Sequence, residues 1–429
     1  MANNNRADGQ DGPIERRQFL KRTLGAVGVA SLPLPISQAL AASNGGGNLA
    51  PDVPEWSLSQ GKPILSPAYG QPSRFEDGVV RTPTDLTPTK TSSWSFTPLQ
   101  DLNGTITPNG LVFERHHGGV PDIDPEQHQL MLHGMVEKPM IFDMAEIKRF
   151  PQVSMKRFLE CSGNTLTEWK KPSGKTVQET HGLLSCCEWT GVRLSTLLRA
   201  AGVRDKAKWI LAESADAAAM TRSIPMEKAM DDALVVYAQN GEALRPEQGY
   251  PLRLILPGFE GNTQVKWLRR LEVGDAPYMT REETSKYTDL MPDGSARQFT
   301  FVMEAKSVIT FPSGGHTLPE KGFYEIRGLA WSGRGRITRV DVSTDGGRNW
   351  TQAELQGPVE TKALTAFRLP WRWKGGSALL QSRAIDETGY VQPTRQALID
   401  VRGLKSVYHL NAIQTWEVSS DGGVSNVHV

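Results

Sequence analysis

Residues 324–331 (YEIRGLAW) and 337–343 (ITRVDVS) alternate apolar and polar side chains with a period of two, and the second run ends in the turn Thr344-Asp345-Gly346-Gly347. Successive side chains of a strand point to opposite faces, so this pattern suits a sheet with one face on a core and does not suit a helix. Further strand-like runs recur around Ala353, Ala366 and residues 378–386, at the spacing of an antiparallel sandwich. We read residues 298–429 as an all-β domain. No internal repeat is evident.

Upstream the pattern differs. Residues 111–297 mix short apolar strands with short helices, which predicts an α+β domain. Residues 130–136 and 265–268 read as strands, and residues 190–201 and 224–230 as helices with core-facing Leu and Met. Residues 43–110, Gly/Asn-rich and then Pro/Thr/Ser-rich, read as an extended arm over a domain surface. A chain of 429 residues has room for two such domains. With 48 Lys and Arg against 47 Asp and Glu, it carries no basic field to hold nucleic acid.

Residues 1–42 read as an address. Arg16-Arg17 followed by Phe19-Leu20-Lys21 is similar to a bacterial twin-arginine signal, and Ala39-Leu40-Ala41 offers a small-x-small cleavage site. The apolar stretch between them is broken by Gly25, Gly28, Pro33 and Pro35 and is too short for a membrane span. That export route carries folded proteins, so the expectation is a periplasmic protein whose bulky cofactor is inserted before export.

The chain has 3 Cys, at positions 161, 186 and 187. No Cys-x-x-Cys-His occurs, so any haem belongs to another chain. Cys186 and Cys187 read as structural. Cys161 follows the apolar run Phe158-Leu159 and precedes the turn-forming Ser162-Gly163-Asn164, which brings a thiol to a loop edge. Taken alone, two readings stand: a buried structural cysteine, or a nucleophile paired with His116, His117 or His181.

The blocks around Cys161 resemble, in order, those of the sulfite oxidase-type molybdopterin oxidoreductases. They are ERHHGGVPDIDP (114–125), LECSGN (159–164), GLLS with WTGVRL (182–194), SIP (223–225), YAQNG (237–241), QGYPLRLILPG (248–258) and QVKWL (264–268). Residues 324–350 resemble that family's immunoglobulin-like dimerisation domain. The resemblance implies a molybdopterin-binding α+β domain followed by an immunoglobulin-like sandwich through which the chain homodimerises. It implies Cys161 as the protein ligand to molybdenum, and Arg115, His116, His117, Asp216, Gln248, Arg253, Gln264, Val265 and Lys266 around the cofactor. Arg253, Lys266 and the backbone of Gln264 and Val265 would meet its phosphate, and Asp216 the pterin. Arg115 would steer an anionic substrate, and Tyr287 would organise the site by hydrogen bonding.

Three departures bear on the substrate. His116 replaces an asparagine, Gln248 replaces a histidine, and the cation that the C-terminal domain offers to sulfite has only Lys362 as a nearby counterpart, with no forked guanidinium. Within the family, RHHGGVPDIDP, LECSGN, HGLLSCCEWTGV and GFEGNTQVKWLRR are most similar to the molybdoprotein subunits of sulfane dehydrogenases in the Sox thiosulfate-oxidising system. That branch implies oxidation of sulfane sulfur on a Sox carrier protein, with electrons passed to a separate c-type cytochrome subunit that holds the haem. A sulfite:cytochrome c dehydrogenase, a sulfoxide reductase sharing the molybdenum domain, and a cofactor-free binding or scaffold protein are the alternatives. No membrane span and no nucleic acid are expected.

Overall fold

The computed structural model describes Gln60, residues 72–84 and residues 89–429. The address read over residues 1–42 lies outside them. All elements named here belong to the unit formed by residues 74–429.

Two sheets build the first half. One comprises β1 (Gln129–Gly134), β2 (Met140–Asp143), β5 (Trp209–Ser214), β6 (Thr221–Pro225) and β9 (Leu268–Gly274), in the order β2-β1-β9-β5-β6. Only the β1–β9 pair is parallel. The other comprises β3 (Gln152–Glu160), β4 (Leu184–Arg193), β7 (Leu234–Gln239), β8 (Arg253–Ile255) and the short strand Glu242–Ala243, with β3-β4-β7 antiparallel and both β8 and Glu242–Ala243 on the far edge of β7. Helix α1 (Leu194–Ala201) presents Leu194, Leu197, Leu198 and Ala201 to a core shared with Leu130, Ile210 and Leu271. The i, i+3, i+4, i+7 spacing places them on one helical face.

Local structure departs from the sequence reading at three places. The helix expected over residues 190–201 begins only at Leu194, because Thr190-Gly191-Val192 continue β4 against β7. Gly191 makes that pairing close: a Cβ there would lie 2.1 Å from Val235 O. The helix expected from residue 224 likewise starts at Met226, in α2 (Met226–Asp231), after β6 ends. The strand expected over residues 265–268 begins at Leu268; Trp267 has φ +51, and this turn frees Lys266 to enter the site.

Residues 94–115 are more than a surface arm. Trp94–Phe96 pairs with both Thr82–Pro83 and Glu114–Arg115, and Leu99 and Val112 are buried. The second half is two facing sheets, β-rich as expected. They use β10 (Lys306–Phe311), β11 (Gly322–Trp331), β12 (Ile337–Ser343), β13 (Thr365–Trp373), β14 (Ala378–Asp386), β15 (Thr415–Val418) and β16 (Val424–Val427). One sheet runs β10-β11-β13 with Glu354–Leu355 on its edge, and the other runs β12-β14-β15-β16 with Thr351–Gln352 beside β12. One helix, α3 (Arg395–Arg402), follows the fifth of these strands. Trp331, Phe367 and Trp416 fill the sandwich, and the same apolar cluster continues into Phe158, Leu184 and Cys186. The two halves thus share one core, and β3, which ends beside Cys161, lies at its border.

Candidate active site

The turn after β3, the short strand Glu114–Arg115, the loop before β9 and the segment after the short helix Arg281–Thr284 converge on one cavity. Arg115, His116, His117, Cys161, Asp216, Gln248, Arg253, Gln264, Val265, Lys266 and Tyr287 all border it. Lys362 does not: its Nζ is 2.6 Å from Asp232 Oδ2 and belongs to a separate ion pair. The C-terminal half sends no side chain to the wall, whose last residue is Tyr287.

One end is cationic. Arg253 is fully buried over the face of Trp189, at 5.0 Å, and donates from Nη1 to Gln248 O (2.8 Å) and from Nη2 to Gln264 O (3.4 Å). Its Nε has no hydrogen-bond partner. Burial lowers its pKa to about 10, yet it stays charged at neutral pH. Lys266 Nζ donates to His116 Nδ1 (2.9 Å) and Glu247 O (2.9 Å), while burial and then the repulsion of Arg253 hold its pKa well below the ordinary lysine range. The Glu114 carboxylate can only accept, so His116 Nε2–H donates to Glu114 Oε2 at 2.6 Å, and Nδ1 of the ring, whose charge burial disfavours, accepts from Lys266. Gln248 spends its amide on Val112 O (3.3 Å) and Phe113 O (3.1 Å). The Gln264 amide donates to Gly261 O (3.1 Å), so that expected phosphate donor is already occupied within the chain. Asp216 Oδ1 accepts from Ser214 Oγ at 2.6 Å.

At the other end stands Cys161, half-buried at the cavity wall. Burial pushes its pKa up, against the opposing pull of the Gly163 amide and Arg115. This weighs against a nucleophile, which needs a depressed pKa. His181 borders a different cavity, and His116 and His117 are committed to other partners. Cys186 and Cys187 lie on opposite faces of β4, buried, with pKa values pushed up to about 12.

Between the ends stand Arg115, His117 and Tyr287. Arg115 Nη2 is 3.3 Å from His117 Nδ1, and His117 Nε2 is 3.0 Å from Tyr287 Oη. Burial and then Arg115 lower the His117 pKa to about 4, so the ring is neutral. Arg115 can only donate, which makes Nδ1 the acceptor and Nε2–H the donor to the phenol oxygen. The Tyr287 proton is then free to point into the cavity, and burial, before any charge effect, raises its pKa.

Sequence reasoning missed Arg222, which is fully buried with its guanidinium 5.3 Å over the Tyr287 ring, and the Asn262 and Trp267 walls. Trp267 and the residue after Thr221 sit inside or beside blocks already singled out, but nothing in their spacing points at the cavity. Gly261 marks a close approach: a Cβ there would lie 2.8 Å from Glu160 O and 3.3 Å from the Cys161 Cα.

The donor set fits a molybdenum–pterin cofactor. Among the described residues no group of three or more His, Cys, Asp or Glu could hold a metal alone. A metal here would take one soft thiolate, from Cys161, and its other ligands from a cofactor. The raised thiol pKa means that a cation must supply the charge that keeps the ligand deprotonated. The unpartnered Arg253 Nε would give the cofactor's phosphate a charged donor, and Lys266 a second donor whose charge, disfavoured by burial and Arg253, a bound anion would restore.

Comparisons with known proteins agree. A family model described as oxidoreductase molybdopterin binding domain matches residues 117–282, and one described as Mo-co oxidoreductase dimerisation domain matches residues 297–416. The chain is 31% identical over 380 residues to the mitochondrial sulfite oxidase of Mus musculus, covering 82% of this chain and 69% of that protein. It is 33% identical over 353 residues to an NADH nitrate reductase of Solanum lycopersicum, covering 70% of this chain and 37% of that protein. The crystal structure of the sulfane dehydrogenase SoxCD from Paracoccus pantotrophus matches with a TM-score of 0.86 and 49% identity, over 93% of this chain and 100% of that chain. From the thiol-and-cation cavity, both domain matches and these relatives, it follows that the chain belongs to the sulfite oxidase-type family of molybdopterin oxidoreductases.

Proposed function

We propose that this chain is the molybdenum-bearing subunit of a periplasmic sulfane dehydrogenase. It oxidises sulfane sulfur held on a Sox carrier protein and passes electrons to a c-type cytochrome subunit that holds the haem, in thiosulfate oxidation. The observation that carries this reading is the sparse anion equipment of the cavity. Of its cations, Arg253 and Lys266 are spent on carbonyls and His116 at the cofactor end, and none comes from the C-terminal half. Arg115, which itself donates to Ser93 O and His116 O, is the one cation of the wall on the Tyr287 side. A free dianion such as sulfite calls for several donors, whereas sulfur on a protein arm arrives already positioned. The 49% identity to a solved sulfane dehydrogenase supports the same reading.

In this reading Cys161 holds the metal, Arg253 and Lys266 the cofactor's phosphate, and Asp216 the pterin N–H groups. Bound there, the cofactor supplies two-electron oxygen-atom chemistry at sulfur. Arg115 attracts the anionic end of the substrate. Neutral His117 keeps the Tyr287 oxygen occupied as an acceptor, so that its O–H is presented to the reacting group. Export by the twin-arginine route and homodimerisation through the sandwich belong to the same proposal. Among the described residues no helix is long and apolar enough to cross a membrane.

The test is the ratio of specificity constants for free sulfite and carrier-bound persulfide, measured on the chain with its co-purifying cytochrome. The ratio should favour persulfide at least tenfold, and Lys362→Arg should leave it within twofold, because Asp232 holds that side chain away from the cavity. A native ratio favouring sulfite would reject the sulfane reading and install a sulfite:cytochrome c dehydrogenase.

A further inference from the structure

Both neighbours of Cys161 are held from the far half of the molecule. Glu160, the last residue of β3, is fully buried. Its Oε1 accepts from Lys306 Nζ (3.0 Å) and Asn164 Nδ2 (3.0 Å), and its Oε2 from Trp331 Nε1 (2.6 Å). Lys306 and Trp331 belong to β10 and β11 of the sandwich. Lys306 Nζ also donates to Thr165 Oγ1 (3.1 Å), which in turn donates to Leu410 O (2.9 Å). On the other flank, Ser162 O accepts from His409 N (2.9 Å), and Ser162 Oγ from Asn262 Nδ2 (3.0 Å). His409 Nε2 and Asn262 Nδ2 meet on Glu260 Oε2, at 3.0 and 2.7 Å.

Stability does not account for the central pair. Taking a carboxylate and an ammonium out of water costs about as much as their attraction returns, and apolar residues of the same volume are often as stable. What a buried pair with saturated hydrogen bonds does supply is direction: each oxygen of Glu160 has its own donors, so the end of β3 has one orientation. Thr165, β-branched yet held at φ +68, shows the loop in a backbone region that such residues avoid unless their contacts impose it. Lys306 is among those contacts.

We propose that Glu160 and Lys306 are positioning residues, which set the direction in which the Cys161 thiolate meets the metal. The sandwich takes part in the metal site through them without touching the cavity. This rests on Cys161 being the ligand, as read above, and does not depend on the substrate.

The experiment uses the purified enzyme with its partner and compares Glu160→Gln/Lys306→Met, Lys306→Arg and Cys161→Ser with the wild type. The double variant removes both charges together, so no lone buried charge is left to unfold the chain. Its thermal midpoint should stay close to that of the wild type with molybdenum still loaded. Turnover per molybdenum should fall roughly tenfold to a hundredfold, as small misplacements do, with KM within twofold. The sulfur shell in X-ray absorption and the paramagnetic signal of the half-reduced metal should both change, which a loss of fold stability alone would not produce. Lys306→Arg, which keeps the charge, should recover part of the turnover and of the signal. Unchanged turnover per molybdenum and unchanged spectra in the double variant would overturn the proposal. If that variant does not accumulate, Lys306→Arg, which leaves no lone charge, carries the test: a changed sulfur shell and paramagnetic signal support the proposal, and turnover and spectra identical to the wild type overturn it. Cys161→Ser separates the two readings. Loss of one sulfur there, with spectra untouched in the charge variants, removes only this inference, whereas an unchanged sulfur count removes the ligand assignment itself.

Discussion

The wall around Arg253 and Lys266 and the loop around Cys161 face the same cavity but draw on different halves of the molecule. Gln248, Arg253, Gln264 and Lys266 lie within one short stretch, Arg253 donates to carbonyls of that same stretch, and the longer contacts, of Gln248 to Val112 and Phe113 and of Lys266 to His116, stay within the first half. The cysteine loop is held through Lys306, Trp331, His409 and Leu410, from 141 to 245 residues away in the contacts of Lys306, Trp331 and Leu410. An anion site asks for charge, which a local motif can supply with tolerance for small shifts. A metal–thiolate bond asks for direction, and direction is imposed best by elements that cannot move together.

The largest expected effect breaks the thiol end outright. Cys161→Ser should lose one sulfur ligand at the metal in X-ray absorption, and turnover per chain should fall by roughly a thousandfold or more, as when a group made for the transition state is removed. An unchanged sulfur count would sink the assignment. The opposite end should fail differently. Arg253→Met removes a charged donor worth about 2–3 kcal/mol, so pterin and molybdenum retained after gel filtration should drop to roughly a few per cent, while any retained molybdenum keeps its sulfur shell. A normal cofactor content in that variant would show that Lys266 alone suffices.

A smaller effect sharpens the middle of the cavity. His117 takes a proton only below about 4, against 6.5 for an ordinary histidine, because burial and Arg115 disfavour its charge. Its folded pKa is depressed, so the unfolded chain binds the extra proton first. The contribution to stability is complete above about 6.5 and is lost as the pH falls from there through 4. The profile of kcat/KM should therefore carry no His117 limb between pH 5 and 8. His117→Asn should lower the whole curve about fivefold to tenfold, the size of one lost hydrogen bond, without moving its shape. A limb near 6.5 that vanishes in the variant would contradict the neutral ring. The smallest effect on chemistry is expected at Cys186 and Cys187. Changing both to Ala should leave turnover per molybdenum within twofold and lower the thermal midpoint, since each buried thiol fills space worth about 1 kcal/mol.

Much of this site is legible in the order of residues alone. The blocks contain Arg115, His116, His117, Cys161, Gln248, Arg253, Gln264, Val265 and Lys266, because each places a charged or soft side chain near glycines or prolines that turn the chain, whereas Asp216 and Tyr287 lie outside them and follow from the resemblance alone. Legibility stops where one side chain has two readings. Lys362 matches an expected cation by type and position, but Asp232, a distant residue, claims it. The helix expected from residue 190 and the strand expected from residue 265 both start late, because an apolar run has no intrinsic period until a neighbour pairs with it. Val236 claims Gly191 as a partner, and only Leu268 onward has one in β5.

The sequence by itself determined the two-domain order, the period-two pattern that makes residues 324–343 strands, and the placing of one thiol on a turn, since each depends on residues a few positions apart. The tertiary structure alone decided which charges remain available in the cavity, that Arg222 lies under Tyr287, and that Lys306 holds the residue before Cys161. Those outcomes depend on which buried donors and acceptors meet once two halves share a core, and a buried polar group takes the partner that the fold brings to it.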